Sequence, residues 1–399
     1  MNDIENYIFI IEKVFNKKLN LAISENTNNC IGALNHNDEF ITFKTNFIER
    51  LKRLYSFYFN KPITINEILK TLKNIGIAKG YKWSGGYSEL IALDYLIQYN
   101  NLHNIDYQLK DSTTIFNNSI AKIIGQSEID LDIALDFSSF KVYMDIKSFQ
   151  PTHIEMSDKI FELLKKRSTK DSYLIGVDEI YDVDYHTVKN DLEYEIKNGS
   201  LIDDLEKCIL SKETYYSYGL KSGRTLKFRI AYQGRWEDSI LYTTRITNPY
   251  RLAMNYKYKV LDYYNKIICD KASFLVFVIN PWFNNEISDF GNSNETFYRA
   301  LTRRIFIELK NNIQDMGLFF PDLIGKNLKI CDVVSFISGI VFIEDKSITL
   351  TGKDIYNTYF YLNPNAKNKI VNIYDFDILK WSNVPNQIRI VEDFVFDNY

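Results

Sequence analysis

Over the first 80 residues apolar side chains recur at helical intervals. Ile4, Ile8, Ile11 and Phe15 fall three or four residues apart, and Phe47, Leu51, Leu54 and Phe57 make a second stripe, so both segments are expected to be amphipathic helices. After Pro62 a third helix is expected over 64–75, opening on a Thr64 cap. This helical region reads more readily as a packing cap than as a grip on a polyanion. Gly80, Gly85 and Gly86 then mark a loop, and a helix capped by Ser84 or Ser88 runs to about Tyr99. It stacks Glu89, Leu93 and Leu96/Ile97 on one face, which sets a carboxylate at the top of a buried stripe. Such an acid either complements the helix dipole or requires a cation, because an unpaired buried charge is costly.

Past residue 100 the period changes from 3.6 to 2. Short strands are expected near 106–110 and 122–126, followed by a hairpin over 127–149, SEIDLDIALDFSSFKVYMDIKSF. Ile129, Leu131, Ile133 and Leu135 alternate with Asp130, Asp132, Ala134 and Asp136, the mark of a strand with one packed face. In the next strand Val142, Met144 and Ile146 point one way, and Lys141, Tyr143, Asp145 and Lys147 the other. A helix over 154–167 and a buried strand over 172–177 complete a mixed α/β pattern.

Beyond 177 come a β pair, TLKFRIAYQ and SILYTTRI, a helix over 251–268, the buried strand SFLVFVIN, and a helix carrying Phe297, Leu301, Ile305 and Leu309. Further strands are expected near 332–344, 370–374 and 387–391. The pattern divides the chain into an N-terminal helical region (1–80), a core (81–180) and a C-terminal α/β domain (181–399) suited to target recognition or partner binding.

Composition narrows the class. With 399 residues, 46% hydrophobic and 25% charged, the chain is globular and long enough for more than one domain. Four scattered cysteines, Cys30, Cys208, Cys269 and Cys331, give neither a zinc pattern nor a disulfide framework, which fits a reducing, cytoplasmic setting. No apolar run suits a membrane span, and 1–15 is not a signal peptide. The net charge of −3 conceals segregation: 221–259 holds nine Lys/Arg against two acids, a net of +7, whereas 178–208 holds ten acids against three lysines, a net of −7. In the basic segment Lys227, Arg229, Arg235, Arg245, Arg251 and Lys257 are interleaved with Phe228, Tyr232, Trp236, Tyr250, Tyr256 and Tyr258. Cations with flat rings suit a nucleic-acid surface, and cross-strand aromatic packing with solvated charges explains the same pattern. His36, His103, His153 and His186 form no metal motif, and GLKSGRT at 219–225 lacks the phosphate-loop pattern.

A helix acid, a strand acid and a D-x-K on the following strand, in that order over 81–180, resemble the PD-(D/E)xK nuclease superfamily. Glu89 matches the helix acid, Asp132 or Asp130 the strand acid, and Asp145-Ile146-Lys147 the D-x-K, thirteen residues after Asp132. Leu131 stands where the family commonly has proline, and Asp145 where it commonly has Glu. The resemblance implies a restriction-endonuclease-like mixed sheet flanked by helices. It also implies a Mg²⁺ (or Mn²⁺)-dependent DNA endonuclease in restriction or antiviral defence, acting on double-stranded DNA as a homodimer or with a partner subunit. By the same resemblance Asp132 and Asp145 hold the metal, Lys147 positions or deprotonates the attacking water, Glu89 is an outer or second-metal ligand, and Ser148 and Gln150 lie near the scissile phosphate. Carboxylate-held Mg²⁺ supplies what phosphodiester cleavage needs. The alternatives are an inactive nuclease-fold binding or assembly protein, a repair, recombination or RNA nuclease, and, for Asp145 and Lys147 alone, a surface ion pair.

Overall fold

The computed structural model describes residues 3–21, 29–35, 40–78, 82–103, 107–116, 124–137, 140–149, parts of 159–177, 185–232 except 222 and 224, 239–240, 249–282 and 294–369. The chain forms two compact units. The first comprises 1–149, 263–285 and 305–393, and the second 150–262, 286–304 and 394–399.

The first unit opens with five helices, α1 (Asp3–Phe15), α2 (Asn29–Asn35), α3 (Ile41–Tyr58), α4 (Pro62–Ile77) and α5 (Trp83–His103). The expected stripes are buried except that on α1 Ile8 is half-buried while Tyr7 and Ile10 are buried, and on α3 Tyr58 takes the fourth place instead of Phe57, one helical turn beyond Leu54. α4 begins at Pro62, whose fixed φ and missing N–H suit a first helical position, so Thr64 lies inside the helix and does not cap it. The six-stranded sheet runs β1 (Tyr107–Phe116), β2 (Glu128–Phe137), β3 (Lys141–Ser148), β8 (Ser273–Ile279), β9 (Gly339–Asp345) and β10 (Tyr356–Leu362) in that order. β1–β2–β3 is antiparallel, β3–β8–β9 parallel, and β10 antiparallel to β9. The result is a mixed sheet flanked by helices.

The five helices share one core with a face of this sheet that includes Ile133, Met144, Ile146, Val276 and Ile343. On the other face Phe277 stacks on Phe342 at 5.7 Å and meets Phe149 edge-on at 5.6 Å. β8 and β9 are buried at every position, as parallel strands covered on both faces must be.

The compact units depart from the expected division. Residue 80 is no boundary, because α1–α4 pack in one core with α5 and the sheet. Residue 180 is none either, since β8–β10 from the C-terminal part extend the sheet of β1–β3. The strand at 172–177 is present as β4 (Tyr173–Val177), but it belongs to a second sheet of order β5-β6-β4-β7. β8 takes the place beside β3. Periodicity identifies strands without naming their partners, and here β3's partner lies more than 120 residues downstream.

The second unit sets that four-stranded sheet, with β5 (Tyr215–Gly219), β6 (Thr225–Tyr232) and β7 (Ser239–Ile240), against α6 (Tyr185–Asn198) and α7 (Leu201–Leu210). Ile160 and Leu164, from the expected helix at 154–167, join the same core. α8 (Pro249–Tyr256) packs with α10 (Asn294–Arg303). The helix expected over 251–268 is broken by a 3₁₀ stretch, Lys257–Tyr263, before a short α9 (Tyr264–Ile267). A short α11 (Ile330–Val334) precedes β9; of the strand expected near 122–126, residues 124–126 form a turn and no strand and 122–123 lie outside the described residues, as do the expected strands at 370–374 and 387–391.

Candidate active site

β2 and β3 pair only from Ile133–Asp136 against Met144–Lys141. At Asp132 the two strands separate, and the Asp132 side chain replaces the missing ladder acceptor: Ile146 N–H donates to its Oδ2 at 2.6 Å. The sheet therefore has a fork, open between β2 and the end of β3. The candidate acids gather around it.

Asp145 follows the last residue of β3 that pairs with β2, Met144, and from there on β3 pairs with β8 alone. Its side chain is buried, its Oδ1 has no hydrogen-bond partner, and Lys147 Nζ stands 2.6 Å from Oδ2 as an ion pair outside hydrogen-bond geometry. Burial pushes the carboxyl up to about 6, Lys147 draws it back, and Asp132 pushes it up further. The Lys147 ammonium also lies over the Tyr263 ring, 5.3 Å from its centroid, a contact that fixes a long flexible side chain.

Glu89 approaches from α5. Burial raises its carboxyl to about 7, with Asp132 the next contribution in the same direction. A hydrogen bond from Thr71 and the Lys147 charge oppose this, and Asp145 adds a smaller upward push. Glu89, Asp132, Asp145 and Lys147 thus lie within electrostatic reach of one another. Glu89 and Asp132 line a cavity of about 350 Å³ whose other wall is α4, through Thr64, Glu67, Lys70, Thr71 and Asn74. Asp145 and Lys147 are not among its lining residues. Ile146 is, and alternation puts its two neighbours on the other side of β3.

Asp130, the alternative strand acid, is exposed. It accepts a hydrogen bond from Thr114 at 2.6 Å, and its carbonyl takes Lys266 Nζ at 2.6 Å. Asp132, not Asp130, joins the group. Ser148 Oγ is buried without a partner, and Gln150 lies outside the described residues.

Sequence reasoning missed Thr71, whose hydroxyl donates to Glu89 Oε2 at 3.4 Å. The contact depends on close approach of α4 and α5 at Gly86, where an added Cβ would stand 3.1 Å from the Thr71 methyl. The available signal was the polar stripe Thr64, Glu67, Thr71 and Asn74, spaced as one helix face beside the buried stripe Ile65, Ile68, Leu72 and Ile75.

Of the proposed nucleic-acid residues, Lys227 and Arg229 share the exposed face of β6, Arg251 is exposed on α8, and Lys257 is half-buried over the Tyr258 ring. Arg235 and Arg245 lie outside the described residues. Phe228 and Tyr256 are buried, so these rings serve packing.

The Glu89 shift has a sign that can be checked. A carboxyl bound more tightly to its proton in the folded state loses stability as pH rises from its ordinary value of 4.5 to about 7. Glu89→Gln is expected to flatten that decline in urea titrations and to raise stability near neutral pH by on the order of 2–3 kcal/mol.

No family model matches this chain, and no curated protein or solved structure matches it at a significant level.

Proposed function

We propose that the chain is a Mg²⁺-dependent nuclease hydrolysing phosphodiester bonds of double-stranded DNA, in a restriction or antiviral defence role. The observation that carries this reading is Asp145: a buried carboxylate with a partnerless oxygen, beside a lysine, at a fork where a second strand acid is fixed by a backbone N–H. A buried polar atom left without a partner is costly, and a divalent cation is a suitable one for a carboxylate oxygen. The residues therefore fit the ion, with Asp145 and Asp132 as its holders and Glu89 beside them.

Bound there, the cation would supply charge neutralisation at the phosphate and acidify a water. Lys147, held over Tyr263 and paired to Asp145, offers a positive charge to the attacking water or to the phosphorane oxygens. Ile146 N–H keeps Asp132 oriented. Glu89, raised to about 7, accepts or releases a proton near neutral pH. Lys227, Arg229 and Arg251 would contact phosphates from the second unit.

Supercoiled plasmid incubated with protein and Mg²⁺ is expected to be nicked or linearised. Chelation should stop the reaction, and Lys147→Ala should reduce it by about 10²-fold or more. Equal cutting by wild type and variant would refute the assignment.

One observation favours a second reading, a nuclease-like fold retained for binding. Among the described residues no three His, Cys, Asp or Glu side chains come together at metal-holding distance. That reading expects DNA retention in a mobility shift with no cleavage in Mg²⁺ or Mn²⁺.

A further inference from the structure

The cavity beside the fork has a side that the metal chemistry leaves unused. Its α4 wall carries Glu67, Lys70 and Asn74, exposed and spaced three and four residues apart, so they stand on one face of the helix. None of the three has a side-chain hydrogen bond or ion pair among the described residues. The rest of the lining is largely hydrocarbon: Ile68, Leu90, Ile133 and Ile146 are buried, and Leu93 is half-buried. Asp132 borders the same space, its Oδ2 held by the Ile146 N–H at 2.6 Å, so the cavity begins at the fork.

The lining selects its occupant. One cation, Lys70, stands against three acids, Glu67, Glu89 and Asp132, which disfavours a phosphate inside the cavity. A hydrated cation alone would gain nothing from five apolar side chains. A flat, neutral body with donors and acceptors on its edge satisfies both parts of the lining. Glu67 accepts, Lys70 donates and the Asn74 amide does both, as side chains that read base edges do. The volume of about 350 Å³ is at the small end for ligand sites, which run from about 300 to 1,000 Å³, and is too small to admit a duplex.

We infer that this cavity seats the nucleobase of one unstacked nucleotide, whose phosphate stays at the fork. The inference rests on the nuclease reading for the place of the phosphate. Extrusion forfeits stacking, and contact with the hydrocarbon lining together with hydrogen bonds to the base edge offsets that loss. Within double-stranded DNA a mismatched nucleotide, already unpaired, enters at least cost.

The test is methyl NMR on the full chain, labelled at the isoleucine and leucine methyl groups, in Mg²⁺ buffer. The probes are the four deoxynucleoside 5′-monophosphates, with 2-deoxyribose 5-phosphate, inorganic phosphate and spermidine as comparisons. At least one nucleotide is expected to displace the Ile68, Leu93 and Ile133 methyl signals saturably, through the ring current of its base. Asn74→Ala should weaken that binding about tenfold, and Leu93→Trp, which fills the cavity and whose fold is checked by circular dichroism, should abolish it. The inference is overturned if no nucleotide moves these signals, if sugar phosphate or spermidine moves them as far, or if both folded variants bind like wild type. Plasmid cutting without the displacements strikes this inference and spares the nuclease reading. Displacements without cutting do the reverse.

Discussion

Asp145→Asn is expected to reduce Mg²⁺-dependent cleavage by about 10³-fold and to leave the protein folded. The side chain keeps its shape and burial, so packing beside β8 is retained, while the negative charge that would hold the cation is gone. The wild-type carboxyl titrates near 6 against an ordinary value of 3.8, so the folded state favours the protonated form. Two consequences follow from that sign. Wild-type cleavage should fall as pH drops through about 6, because the protonated carboxyl cannot serve as a ligand. Metal-free stability should fall as pH rises from about 4 to about 6, since deprotonation is less favourable in the folded chain, and Asp145→Asn should remove that share of the slope. Plasmid cleavage against pH, beside urea denaturation of both proteins, measures the two together. A variant that cleaves like wild type, with full dependence on Mg²⁺, would remove Asp145 from the site.

Asp345→Ala is expected to cost about 3–5 kcal/mol, the largest single effect on stability, because it leaves buried Arg50 to share Asp94, 3.6 Å away, with Arg53. Arg50 on α3 is fully buried; its guanidinium donates to Asp345 Oδ2 at 3.2 Å and to the Tyr87 and Tyr356 hydroxyls at 3.0 Å each. Tyr87 donates to Asp345 at 2.7 Å, and Tyr356 to Asp94 at 2.6 Å. Arg53 reaches both Asp94 oxygens at 2.7 and 2.9 Å. The cluster joins α3, α5 and the facing ends of β9 and β10 through charge-assisted bonds that are buried except at Arg53. Tyr87 and Asp94 flank Glu89 on α5, so the same cluster fixes the helix that delivers the acid. Replacing Arg50 by Met together with Asp345 by Leu should cost less than the two single changes summed, because neither charge is then left alone. Urea titrations of the four proteins close the cycle.

Much of the site was legible because strand alternation is strict. Asp145 and Lys147 had to share a face of β3, and Glu89 had to sit high on the buried stripe of α5. The choice of Asp132 over Asp130 was legible only as a preference for the place nearer the centre of the apolar run, and its reason was not. Both occupy the same face, and only the point at which β2 leaves β3 distinguishes them, a property of pairing and not of period. The division of the chain was not legible either. SYLIGV and SFLVFVIN read equally well as buried strands, and nothing local indicates that the second lies beside β3 while the first pairs with β6. Nothing in the stretch around Arg50 marks that cation as buried. Its burial depends on Asp345, almost 300 residues away.

The insertion of residues 150–262 between β3 and β8 has a temporal consequence. From Asp145 to Ser148, β3's ladder partner is β8, so the end of the strand that bears Asp145 and Lys147, unlike its start beside β2, is not fully paired until Val278 has been synthesised. Domains fold as units during synthesis, and long-range parallel pairing is intrinsically slow. A chain still emerging from the ribosome therefore carries all four candidate residues well before it has the fork that brings them together. The candidate site is assembled late, after the inserted unit has been made.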